Sequence, residues 1–150
     1  SRLLLMQNQG NSIVPILLIL IVFLTSCATH TNSLYDDVGG QKTFEKITDN
    51  FIKEIEFNKK IFSYFKDSDV DRFHEKFIEH MCVVSGGPCQ YSGDSMLDVH
   101  KGMNINESDF NLTVDLLINA MTRAGLNHRQ QNRLLKQLIP MRKERIDEFF

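Results

Sequence analysis

Phe44, Ile47, Phe51 and Ile55 recur at spacings of three and four, which predicts a helix from about Thr43 to Phe57 with one apolar face. Lys46, Asp49, Lys53 and Glu54 fall on the opposite side and are expected to face water. Val70, Phe73, Phe77, Met81 and Val84 form a second and unusually aromatic stripe, opened by a cap at Ser68 or Asp69 and closed by Gly86-Gly87-Pro88. The third stripe, Phe110, Val114, Leu117, Met121 and Ala124, follows a cap at Asn106 and stops at Gly125, with Glu107 and Asp109 in the first turn where carboxylates suit the helix N-terminus. Asn127 caps a last helix that buries Leu134, Leu135, Leu138 and Ile139. That helix meets Pro140, which should kink it, since the pattern stays helical from Arg142 to Phe150. Ser33 to Val38 adds one amphipathic turn, stopped by Gly39-Gly40. Strict alternation over four or more residues is absent and no segment repeats, so the pattern predicts an all-α domain of four substantial helices plus short ones.

The run Ile13 to Leu24 is apolar throughout but only twelve residues long, short of the ~20 that a membrane-spanning helix needs. It leads into Leu24-Thr25-Ser26-Cys27, which resembles a bacterial lipobox, in which a cysteine receives lipid and becomes the mature N-terminus. Residues 1–27 are therefore expected to be a signal peptide ending in lipidated Cys27, 28–32 a short spacer, and 33–150 the folded domain. An uncleaved anchor is the alternative. Either way the domain is expected outside the cytoplasm, tethered to a bacterial membrane by hydrocarbon worth ~0.8 kcal/mol per buried CH₂.

A chain of 150 residues supports one domain with a substantial core. Seventeen basic and nineteen acidic side chains give a formal charge of -2, and no uninterrupted basic block exists, which argues against a nucleic-acid partner. With Cys27 assigned to lipid, Cys82 and Cys89 remain as an even pair across the Gly-Gly-Pro turn. An oxidising compartment permits a bridge between them, worth ~2–3 kcal/mol; two buried thiols are the other reading.

The segment from Gly86 to Ile105 carries the chemistry, because Gly86-Gly87, Tyr91-Ser92-Gly93 with Met96, and then His100 stand in the order found before the iron-ligating histidine of the truncated hemoglobins. Ser33-Leu34-Tyr35 with Gly39-Gly40 matches that family's opening motif, and the similarity extends from about Ser33 to Pro140. The resemblance, nearest to group I, implies a truncated globin-like two-over-two helical sandwich holding haem b (iron protoporphyrin IX), with His100 as the proximal iron ligand. Neutral imidazole suits that role, since its second nitrogen can be oriented by a backbone carbonyl.

The same resemblance places Phe51, Phe65, Phe73, Phe77, Met81, Tyr91 and Met96 against the porphyrin and Lys76 where a haem propionate can be met, a solvated lysine being the alternative. Family members often carry tyrosine and glutamine on the gas-binding side; here those positions are Ile52 and Phe77, which implies a mostly apolar pocket and fast oxygen release. His80 is close enough in helical phase to reach the pocket edge, although a solvent-facing ring is the preferred reading. His74 points away from the stripe and is a poor sixth ligand.

Two functional classes follow. The preferred one is a haem protein that reversibly binds oxygen or nitric oxide, with enzyme status open and any catalytic electrons coming from a separate reductase, since no flavin or nicotinamide fingerprint is present. The alternative is a non-haem helical lipoprotein with a structural or partner-binding role. A zinc site from His74, His80 and Cys82 is a poorer third reading, lacking a fourth ligand.

Overall fold

The computed structural model describes residues 32–138, and every regular element among them is helical. Seven helices follow one another: α1 (Leu34–Val38), α2 (Gly40–Phe57), α3 (Lys59–Phe65), α4 (Val70–Val84), α5 (Met96–His100), α6 (Glu107–Arg123) and α7 (His128–Leu138). None of them is long and apolar enough to cross a membrane. The apolar run, Cys27 and the kink expected at Pro140 lie outside the described residues.

Side-chain caps set most of the boundaries. Ser33 Oγ accepts from the Asp36 amide at 3.2 Å, Asn58 Oδ1 from Ile61 at 3.1 Å, Asp69 Oδ1 from Arg72 at 3.0 Å and Asn106 Oδ1 from Asp109 at 2.8 Å. Each satisfies one of the amides that a helix start leaves without an intrahelical acceptor. At α7 the cap is reciprocal: Asn127 Oδ1 accepts from the Gln130 amide while Gln130 Oε1 accepts from the Asn127 amide, both at 3.0 Å. Asp69, not Ser68, is thus the cap of α4.

α2 starts at Gly40, three residues before the expected Thr43, because Gly39 at φ 100° reverses the chain within one residue. Its apolar stripe is buried as expected, with Phe44 and Ile47 at 0 % exposure, and it packs chiefly against α6 and α4. The second stripe is shorter than expected. Val70 is 52 % exposed, since it precedes the turn at Phe73, where the α4 stripe first meets the rings of Phe51 and Phe65. Glu54, expected in water, is half-buried and paired with Arg123 at 3.2 Å. At the far end, α7 is tied to α1 by Arg133 and Asp37 at 2.7 Å and by Gln130 Nε2 donating to the Asp37 carbonyl at 2.7 Å.

Candidate functional site

Between α2, α3, α4, α5, α6 and α7 lies a cavity of about 360 Å³, within the size range of sites for small organic ligands. Its α4 wall is aromatic because Phe73 and Phe77, one turn apart, stack with centroids 5.4 Å apart. Phe51 of α2 leans on both, at 6.3 and 5.4 Å, and Phe65 of α3 meets Phe73 edge-on at 5.3 Å. Such tilted and offset arrangements are the favourable ones for aromatic pairs.

Across the cavity, α5 presents His100. Ser95 caps this five-residue helix by accepting from the Asp98 amide at 3.1 Å, and His100 Nδ1 lies 2.7 Å from the Met96 carbonyl oxygen. A carbonyl can only accept, so Nδ1 carries the proton, which places the basic lone pair of the neutral ring on Nε2. Met96, Val99 and Met103 line the same cavity.

The loop from Ser85 to Ser95 is fastened along α4 by several contacts. Arg72 meets Asp94 at 3.0 Å, and Lys76 Nζ donates to Ser92 Oγ at 2.7 Å and to Glu79 at 3.0 Å. Glu79 accepts from the Ser92 amide at 2.9 Å, and Cys82 faces Cys89 with 6.0 Å between Cα atoms, within the range a disulfide requires. The Ser92 amide, followed by Lys76, holds the Glu79 carboxyl below its usual range, and Glu75 and Glu79 raise the Lys76 ammonium in turn. Gly87 is required where the loop leaves α4, because a Cβ there would stand 2.5 Å from Cys82 Sγ and 2.9 Å from the Cys82 carbonyl oxygen.

The structure brings Phe51, Phe65, Phe73, Lys76, Phe77, His80, Tyr91, Met96 and His100 onto one cavity. Ile52 and Met81 do not line it. Ile52 sits half-buried beside the stripe, one residue out of phase with Phe51, and Met81 is fully buried in the core. His80 corrects the preference for solvent. It lines the cavity, its Nε2 is buried without a hydrogen-bond partner, and burial lowers its basicity. His74 instead contacts Asp49 at 2.9 Å. With Cys82 facing Cys89, the zinc grouping does not assemble, and no cluster suited to a metal ion occurs among the described residues.

The α6 and α7 contributions were not foreseen as site residues. Phe110, Val114, Leu135 and Leu138 are half-buried and line the cavity. Asp109, by position an ordinary first-turn acid, is 3 % exposed and joins α3 to α6. Tyr64 donates to it at 2.5 Å, Asn106 Nδ2 donates at 3.1 Å and the Lys60 ammonium sits against it. Lys60 first, then Tyr64, holds the Asp109 carboxyl below the usual aspartate value, and the same bond raises Tyr64.

A helical body of this connectivity, with a histidine on a short helix facing an aromatic wall, has the architecture of a small two-over-two globin. The model of the family described as bacterial-like globin matches residues 33–146, and the chain belongs to that family. The group 1 truncated hemoglobin GlbN of Mycolicibacterium paratuberculosis is 29 % identical over 112 residues, covering 75 % of this chain and 82 % of the relative. The group 1 truncated hemoglobin of Tetrahymena pyriformis is 24 % identical over 112 residues, covering 75 % and 93 %. Its crystal structure in the Fe(III) form superimposes with a TM-score of 0.71 over 75 % of this chain and 96 % of that one. A Synechococcus 2/2 hemoglobin with covalently attached haem, 16 % identical, superimposes with a TM-score of 0.64 over 70 % and 89 %.

Proposed function

We propose that the cavity holds haem b, that His100 is the proximal iron ligand, and that the protein reversibly binds a diatomic gas, oxygen or nitric oxide. The observation that carries this reading is the His100 imidazole on the cavity wall, oriented by the Met96 carbonyl at 2.7 Å so that Nε2 is its basic nitrogen. The donor set fits the group: one oriented imidazole, walls of phenylalanine, methionine and aliphatic side chains, a polar edge at Lys76, His80 and Tyr91, and further polar groups at Tyr64, Asn111 and Thr113. The bound haem supplies an iron centre for gas binding; the chain supplies its ligand, its dry surroundings and its orientation. The relatives named as hemoglobins support the same assignment.

The α4 wall bears on which gas is held. Phe51, Phe73 and Phe77 carry no hydrogen-bond donor, and Ile52 could supply none. Bound oxygen gains from a donor because it carries partial negative charge, whereas nitric oxide depends on one less. Fast oxygen release is the expected behaviour. Haem titration of the full chain in mild detergent tests the assignment: a Soret band should form with the wild type and be strongly reduced in His100→Ala. A wild-type protein that stays colourless would favour the non-haem helical reading.

Three attributes complete the proposal. Residues 1–27 act as an export signal ending in lipidated Cys27, so the globin domain is anchored outside the cytoplasm, and Cys82 and Cys89 form a disulfide there. Any turnover, such as nitric oxide oxidation or peroxide reduction, draws electrons from a separate reductase. Mass analysis of the mature N-terminus checks the lipid directly.

A further inference from the structure

The α4 face of the cavity is phenylalanine for two positions and then changes character. Phe73 and Phe77 stack on one another, and His80 takes the next place on that face. Its ring meets Tyr91 edge-on, with centroids 5.5 Å apart. Lys76, one turn earlier, lines the same edge, so the polar groups of this wall gather in one corner beside the loop at Tyr91 and Ser92. In that corner the Tyr91 hydroxyl donates to the Asp94 carbonyl at 2.8 Å, and Glu79 is neutralised by Lys76 and the Ser92 amide. His80 Nε2 alone among these groups is buried with no hydrogen-bond partner. A buried polar atom in that condition is costly to leave unmatched and points to an occupant.

We propose that His80 is a carboxylate-binding residue of the cavity, its Nε2–H donating to a carboxylate at the edge of the bound tetrapyrrole; this rests on the haem reading above. A carboxylate is favoured over a neutral diatomic ligand because His80 lies at the polar edge of the cavity beside Lys76, whose ammonium already bridges the carboxylates of Glu75 at 2.7 Å and Glu79 at 3.0 Å, whereas the phenylalanine part of the wall offers no donor. Burial disfavours the imidazolium, so His80 enters as a neutral donor and gains the strength of a charge-assisted hydrogen bond from the anion it meets.

The test is haem loss from the full chain in mild detergent, followed by transfer to an excess of scavenging apoglobin. Ferric haem is compared with its dimethyl ester, whose carboxylates are blocked. His80→Phe should lose haem roughly tenfold faster than wild type or more, as expected for a hydrogen bond to a charged group. His80→Gln, which keeps a donor, should recover much of that difference, and all three proteins should lose the diester at one rate. An equal effect of His80→Phe on haem and diester would overturn the proposal and make His80 a packing residue. A low-spin spectrum that turns high-spin in His80→Phe would also overturn it, making His80 an iron ligand. If the wild type takes up neither porphyrin, the haem reading fails with it; if haem binds and the His80 variants behave as wild type, only this inference falls.

Discussion

Breaking the disulfide proposed for Cys82 and Cys89 should destabilise the domain by an amount that the chain path fixes. The two cysteines are seven positions apart, so a bridge closes a loop of about eight residues, and the chain-entropy relation gives about 2.5 kcal/mol at 25 °C. The turn inside the loop is already held by the Gly87 amide donating to the Cys82 carbonyl at 2.8 Å, and Ser85 Oγ donates to the same carbonyl at 3.0 Å. Those bonds remain after reduction, so the loss is expected to be global stability and not local order. Urea unfolding of the full chain, followed by far-ultraviolet circular dichroism, should show the midpoint fall by roughly 1–2 M when the bridge is reduced. Cys82→Ala with Cys89→Ala should match the reduced protein and no longer respond to reductant. An unchanged midpoint on reduction, together with both thiols alkylating in unfolded, unreduced protein, would refute the reasoning.

Other changes bear on the scaffold and the gas-binding wall. The Asp109 carboxyl is held low when folded, so its contribution to stability is complete above the ordinary aspartate value of about 3.9 and fades as pH falls through the lower folded value. The urea midpoint of wild type should therefore fall on acidification in that window, and Asp109→Asn should be less stable at neutral pH with a flatter acid limb; an unchanged acid limb would discount the Lys60–Asp109–Tyr64 cluster. Gly87→Ala puts a methyl 2.5 Å from Cys82 Sγ and Tyr35 Cδ2 and 2.9 Å from backbone oxygen, so it should cost roughly 1–3 kcal/mol and lower Tm measurably by calorimetry. Phe77→Gln introduces a donor into the α4 wall and should slow oxygen dissociation about tenfold in flash photolysis or stopped flow, one hydrogen bond to a polarised ligand being worth roughly 1–2 kcal/mol. No slowing would mean that position 77 does not face the bound gas.

Much of the fold is legible in the stripes. Phe44, Ile47, Phe51 and Ile55 announce α2, and Asn106 and Asn127 mark helix starts that the structure keeps. What periodicity could not supply is which half-buried residues face a neighbouring helix and which face a cavity. Phe110, Val114 and Leu138 share the apolar character of Leu116 and Leu134, yet they line the pocket, because the distinction depends on where α5 and its loop cross. His80 illustrates the same limit: its helical phase allowed either environment, and only the loop folding back through Tyr91 closes it off from water. Asp109 escaped notice because an acid in a first helical turn is ordinary. Its burial depends on Lys60 and Tyr64, which lie in α3, a helix too short for a periodic signal. The site residues that were legible, His100 above all, were so through ordered motifs and not through pattern.

Iron ligation by His100 is the claim on which the rest depends, and resonance Raman spectroscopy of the ferrous, ligand-free protein reads it directly. The iron–histidine stretching band should be present in wild type, absent in His100→Gly, and restored when imidazole is added to that variant. A wild-type band that persists unchanged in His100→Gly without imidazole would contradict the assignment.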